Sequence, residues 1–238
     1  MASLAPAKTK ALSFWQKVAL GIAAFDLFAF LQFTARGFAD VGAAPLWIHL
    51  HAAAMLAWLG FFVLQPTLIA RGDVARHRQT GAIALVLALG VVVLGAYSTY
   101  MSVASRHVPG FFAPSYFLTL NTINIATFGA LVLGAVVALG RDITAHPRLI
   151  VGANVMILEP ALGRLLPFPL MQPWGEFAVM VLQLGVLALV ARHDLAQFGR
   201  VHRATLVSLG AVAFSHTLVE MMGRLPAVHA LAERIAQG

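Results

Sequence analysis

Four side chains in this sequence stand out because they could bind a cofactor or move a proton from inside long apolar runs: His51, Glu159, His216 and Glu220. His216, Glu220 and Arg224 follow at four-residue steps, so on a helix they share one face. Two imidazoles could ligate a haem iron axially. The same two imidazoles with Glu159 and Glu220 could instead hold a zinc, iron or copper ion. In that second reading the ion acidifies a bound water and Glu159 or Glu220 serves as the base. A third reading needs no ligand: Glu159 pairs with Arg164 or Arg224, and neighbouring carbonyls satisfy the histidines. A second set, His77, His146 and His202, lies in the short motifs HRQTG, HPRLI and VHRATL. Arg76, Arg78, Arg148, Arg200 and Arg203 accompany it and would suit haem propionates or lipid phosphates equally well.

The setting of these residues is a membrane. Of 238 residues, 60% are hydrophobic and 11% charged, where a water-soluble domain carries about a quarter charged. Cysteine is absent, which excludes disulfides, iron–sulfur clusters, thiolate chemistry and covalent haem attachment. Lys8, Lys10 and Lys17 are the only lysines and precede the first apolar run, so no buried lysine could hold retinal as a Schiff base. The net charge of +7 is spread over short connections, so anionic lipid headgroups are the expected partners rather than nucleic acid.

Apolar runs of membrane-crossing length predict an all-α, polytopic bundle of seven transmembrane helices. The expected spans are Val18 to Thr34, Leu46 to Ala70, Thr80 to Val103, Phe117 to Gly140, Leu149 to Leu166, Trp174 to Ala191, and Ala204 to Met222. Residues 1–17 then form a cytoplasmic segment, 18–222 the transmembrane domain and 223–238 an extracytoplasmic tail. Eleven Lys and Arg fall on the N-terminal side; the other five, Arg36, Arg106, Arg164, Arg224 and Arg234, fall opposite. The positive-inside rule places the N-terminus in the cytoplasm and the C-terminus outside.

At about 1.5 Å of rise per residue, His51, Glu159 and His216 come to one level in the outer half of the bilayer. Asn121, Asn124, Tyr97, Tyr100 and Arg164 come to similar depths, which predicts a polar pocket open to the outside. Pro160 follows Glu159 and predicts a kink beside the buried acid. Asp26, near mid-membrane, is either a proton-relay carboxylate or an acid hydrogen-bonded to a neighbouring helix. Gln65 and Gln183 read as interhelical hydrogen-bond formers.

The run HLHAAAMLAWLGFFVLQPTLIARGDVARHRQTG, with HPRLI and GRVHRATL, resembles a widespread family of uncharacterised bacterial seven-helix membrane proteins. That resemblance implies a multi-pass protein of the bacterial inner membrane. More distantly, the order His51, Gln65, Arg71, His77, Gly81 resembles the transmembrane di-haem cytochromes b of the ascorbate-dependent type. It implies His51 as an outer-haem ligand and His77 as an inner one. His216 would be the outer partner and His146 or His202 the inner, with Arg164 and Arg224 beside the outer haem. The resulting expectation is a redox protein binding haem b and passing electrons from a quinol or another redox protein. A metal-dependent hydrolase or oxidase acting on a lipid, and a non-catalytic lipid or small-ligand binder or assembly subunit, stay open beside it.

Overall fold

The computed structural model describes residues 11–167 and 175–237. Local chemistry sets where each helix begins. Ser13 and Gln16 form a reciprocal capping box that starts α1 (Phe14–Ala35). Pro45 precedes α2 (Leu46–Ala70), and the Asp73 carboxylate accepts from Arg76 N–H to start α3 (Val74–Ala104). Pro114, which needs no N–H partner at a first helical position, opens α4 (Pro114–Ala138). Then follow α5 (Ala145–Met156), α6 (Glu159–Leu165), α7 (Gly175–Phe198), α8 (Arg203–Met222) and α9 (Pro226–Gln237). Among the described residues these are the regular elements, and none is a strand.

Among the described residues six helices, α1 to α4, α7 and α8, are long and apolar enough to cross a membrane, as expected of a multi-pass membrane protein. Large apolar side chains such as Phe28, Leu31, Val86, Leu133 and Phe214 point outward, where a soluble protein would place charge. The interior is built largely from small residues and a few aromatics, among them Ala19, Ala135, Ala153, Trp58 and Phe128.

The run expected as one span from Leu149 to Leu166 is two helices. Pro160 has no N–H, and its ring opposes the carbonyl four residues earlier, that of Met156, which is the last residue of α5. The chain turns through Ile157 and Leu158 and restarts with Glu159 in the first turn of α6. The other boundaries move less: α2 matches its expected span, and α3 begins six residues before Thr80 because Asp73 caps it. Trp174, Lys8 and Lys10 lie outside the described residues. Within the expected C-terminal tail, α9 rests on α3 and α4 with Ala232 buried.

Short α5 is the hub. It packs on α4, α8, α7 and α1, and every residue from Val151 to Met156 is buried. The α5–α8 contact is so close that a Cβ added to Gly152 would lie 2.7 Å from Ser208 Cβ, so any larger residue must push the two helices or Ser208 aside. Trp58 Nε1 on α2 donates to Asn154 Oδ1 on α5 at 3.0 Å.

A buried ion pair fastens the end of the bundle where α7 meets α8. Arg148 donates from Nε and Nη2 to Asp194 Oδ1, and its Nη1 donates to the Thr144 carbonyl. Asp194 Oδ2 accepts from the His202 N–H at 3.1 Å and from the Thr205 hydroxyl. The guanidinium lies 5.3 Å from the rings of both Trp15 and Phe198. One carboxylate thus ties α5 to α7 and to the start of α8.

Candidate functional site

The buried stripe of α7 reads Glu176, Val179, Gln183, Leu187, Val190, Asp194. This seven-residue recurrence brings Glu176 and Gln183 to one side of the helix about 10 Å apart along its axis. Facing them from α8 is His216, which is fully enclosed. Its Nδ1 lies 2.6 Å from Glu176 Oε1, and its Nε2 lies 2.7 Å from Gln183 Oε1. Glu176 continues outward: the Tyr116 hydroxyl on α4 is 3.1 Å from its Oε2 and 2.7 Å from Oε1 of Glu220 on α8. Arg224 Nη2 then donates to Glu220 Oε2 at 2.8 Å and ends the series at an exposed guanidinium.

Six side chains therefore form one continuous line: Gln183, His216, Glu176, Tyr116, Glu220, Arg224. It runs about 12 Å along α8, from the bundle interior to the surface where α8 ends. Position 223 holds the tyrosine in place, since a Cβ on Gly223 would lie 2.8 Å from Tyr116 Cδ2. The Arg224 guanidinium covers the same ring at 5.8 Å.

Two points in the line have more acceptors than protons. A phenol has one proton, yet Tyr116 faces two carboxylates. The hydroxyl can serve one of them at a time, unless the other carboxyl itself carries a proton to donate. At the inner end the Gln183 amide places Oε1 on His216, while its buried Nε2 has no partner. Rotation of that amide by half a turn would present N–H to an unprotonated Nε2, so the amide can match either protonation of the ring.

Glu159 stands beside this line. It is buried at the start of α6, and the Asn124 amide approaches its Oε2 at 3.5 Å. It lies near enough to Glu176 for the two charges to interact. α6 packs on α1, where Asp26 is buried with Oδ1 unpartnered.

The structure distributes the other sequence-predicted residues differently from the expected pocket. His216 and Glu220 do share a face of α8, but they connect through Glu176 and Tyr116 rather than directly. His51 packs against α3, its Cε1 3.6 Å from the position a Cβ on Gly95 would take, and its buried Nδ1 has no partner. Among the described residues no hydrogen bond or ion pair joins His51 to His216, and no group of three His, Asp or Glu side chains is arranged to hold a metal ion. With both nitrogens engaged, His216 does not fit an axial haem ligand. Arg164 turns toward α1, its guanidinium 4.1 Å from the Phe30 ring and 5.2 Å from that of Phe33. Its Nη1 donates to the Pro160 carbonyl. Tyr97 and Tyr100 are each 49% exposed on the outer surface of α3 rather than in a pocket.

At the opposite end the three histidines have separate settings. His202 caps α8, accepting the Ala204 N–H on Nδ1, and its Nε2 is 3.2 Å from Asp142 and 3.1 Å from Thr144. The Thr144 hydroxyl and then its N–H hold the Asp142 carboxyl below the usual carboxylate range. His146 Nδ1 donates to the Ala135 carbonyl at 3.0 Å, leaving Nε2 with no hydrogen bond among the described residues. His77 is close enough to His146 for their charges to interact. With its nitrogen turned toward α3, the Gln65 amide donates to His77 Nδ1 at 2.6 Å.

Sequence reasoning misses Glu176 and Tyr116. Glu176 lies in the first turn of α7 and Tyr116 two residues after Pro114, in the first turn of α4, so both read as interfacial residues. The seven-residue spacing of Glu176 and Gln183 is the signal that could find the first of them. No protein-family model, curated protein or solved structure matches this chain.

Proposed function

We propose that the chain is a proton-conducting membrane protein, in which the line from Glu220 to His216 carries protons between one membrane face and the bundle interior. α5 and α6 together make a seventh crossing in this reading, with the N-terminus in the cytoplasm and the C-terminus outside, in a bacterial inner membrane. The observation that carries it is Tyr116: one hydroxyl at 2.7 and 3.1 Å from carboxylates of two different helices. A proton on Glu220 passes to Tyr116 Oη while the hydroxyl's own proton passes to Glu176 Oε2. Glu176 Oε1 serves His216 Nδ1, and Nε2 of the same ring faces Gln183. Each transfer leaves the donor able to accept again, and no group carries more than one extra charge. Glu159, near Glu176, and Asp26, on the helix that packs against α6, extend the series of acids toward the other side.

Proteoliposomes loaded with a pH-sensitive dye and given a potassium diffusion potential test this directly. Protein-dependent proton entry is expected, and Tyr116→Phe, which removes only the hydroxyl, should slow it by about a hundredfold, the size of a lost proton-transfer group. Tyr100→Phe, on the exposed surface of α3, should leave it unchanged. Entry at the protein-free rate with the unmodified chain would end the proposal.

A second reading, haem b held at the inner tier for electron transfer with a quinol or redox protein, is favoured by one observation. His146 spends Nδ1 on a carbonyl and leaves Nε2 unengaged, the orientation of a ligating histidine, with His77 nearby. A haem there would supply one-electron chemistry. Purified protein with no Soret absorbance, before and after haem is added, rejects it.

A further inference from the structure

A groove of about 700 Å³ runs between α1 and α7. Its walls and floor are apolar, with Phe25, Leu158, Leu162, Leu182 and Val186 among them. Its mouth is not: Lys17 and Arg192 stand there, with His193 stacked on Phe14 at 3.8 Å. Among the described residues neither Lys17 nor Arg192 forms an ion pair with a carboxylate, unlike Arg148. From Arg192 to Leu182 the groove extends about 15 Å along α7, which is one leaflet of a bilayer with roughly 30 Å of hydrocarbon. The charge sits at one end only, at the level where α1 begins and α7 ends.

Those dimensions match one lipid tail with its phosphate at the mouth. We infer that this groove binds a single anionic phospholipid, one acyl chain lying against Gly21 and Val186 and the phosphate held between Lys17 and Arg192. Gly21 leaves the space, because nothing lies within 4 Å of where its Cβ would be. The inference is separate from the proton line, which lies on the α8 side of α7.

Native mass spectrometry of the purified full chain in detergent, titrated with phosphatidylglycerol or phosphatidylcholine, tests it. One phosphatidylglycerol per chain is expected to bind about thirtyfold more tightly than phosphatidylcholine, roughly a factor of five for each cation near the phosphate. The double substitution Lys17→Gln with Arg192→Gln should bring phosphatidylglycerol down to the phosphatidylcholine level. Gly21→Phe, which plugs the groove and leaves both charges, should release either lipid, and Val186→Phe serves the same purpose if Gly21→Phe does not fold. Equal retention of the two lipids by the unmodified chain overturns the inference. So does phosphatidylglycerol binding that survives the double substitution or the plug.

Discussion

Removing one carboxylate at the end of the bundle should destabilise it more than any surface change. In Asp194→Ala, Arg148 keeps the Thr144 carbonyl and the two rings, but loses both bonds to Oδ1. The His202 N–H and the Thr205 hydroxyl lose their acceptor at the same time. Side-chain exposure of 3% for Arg148 and 0% for Asp194 means that water does not replace what is lost. Breaking a buried pair in this way costs about 3–5 kcal/mol. At about 2–4 °C per kcal/mol for a chain of this size, the unfolding midpoint should fall by roughly 6–20 °C. The assay is intrinsic tryptophan fluorescence on heating in detergent, since the chain has no cysteine for a thiol dye and Trp15 lies against the Arg148 guanidinium. Arg148→Met combined with Asp194→Leu removes both charges and should recover much of the loss. A midpoint within about 2 °C of the unmodified chain for Asp194→Ala, or a double variant no better than the single, would refute the reasoning.

Two further outcomes follow from the same geometry. Gly152→Ala would force a Cβ to 2.7 Å from Ser208 Cβ, so it should cost about 1–3 kcal/mol in the same melt, and Ser208→Gly should restore most of that. Asp142→Asn should shift the midpoint by less than about 2 °C at neutral pH, because this carboxylate faces solvent. Its folded-state value is lowered, so any contribution it makes is complete above the ordinary carboxylate range and disappears only as acid carries the pH below about 4. If any advantage the unmodified chain has over Asp142→Asn at pH 7 were already lost at pH 5, this would be contradicted.

The architecture is largely legible in the sequence because lipid leaves few choices. An apolar run such as Leu46 to Ala70 has to be a helix, and Pro45 and the Arg71–Gly72 turn mark its ends. Pro160 is legible as a disturbance, but its outcome, a full stop after Met156, depends on how α5 is enclosed by four neighbours. The site is legible on one helix only. Four-residue spacing puts His216 and Glu220 on a common face whatever surrounds them, yet it says nothing about which helix that face meets. The order of helices around α5 decides that Glu176 and Gln183 arrive there and that His51 packs on Gly95 instead. Such an order arises from small-residue contacts like Gly152 against Ser208, which carry no periodic mark in the chain. Arg148 and Asp194, 46 positions apart, are hidden for the same reason.

The directness of the contacts from Gln183 to Glu220 limits what can travel along them. Side chains meet at 2.6 to 3.1 Å with no gap between donor and acceptor, so a sodium or potassium ion with its hydration shell has nowhere to stand. Whatever passes must hop as a bare hydrogen nucleus between lone pairs. After each hop the Tyr116 O–H must swing back about its Cζ–Oη bond before the next can start, while the ring itself is held against Gly223 and beneath Arg224. Throughput would then be set by how fast that one hydroxyl turns on a ring that stays put, not by how many protons wait at the surface.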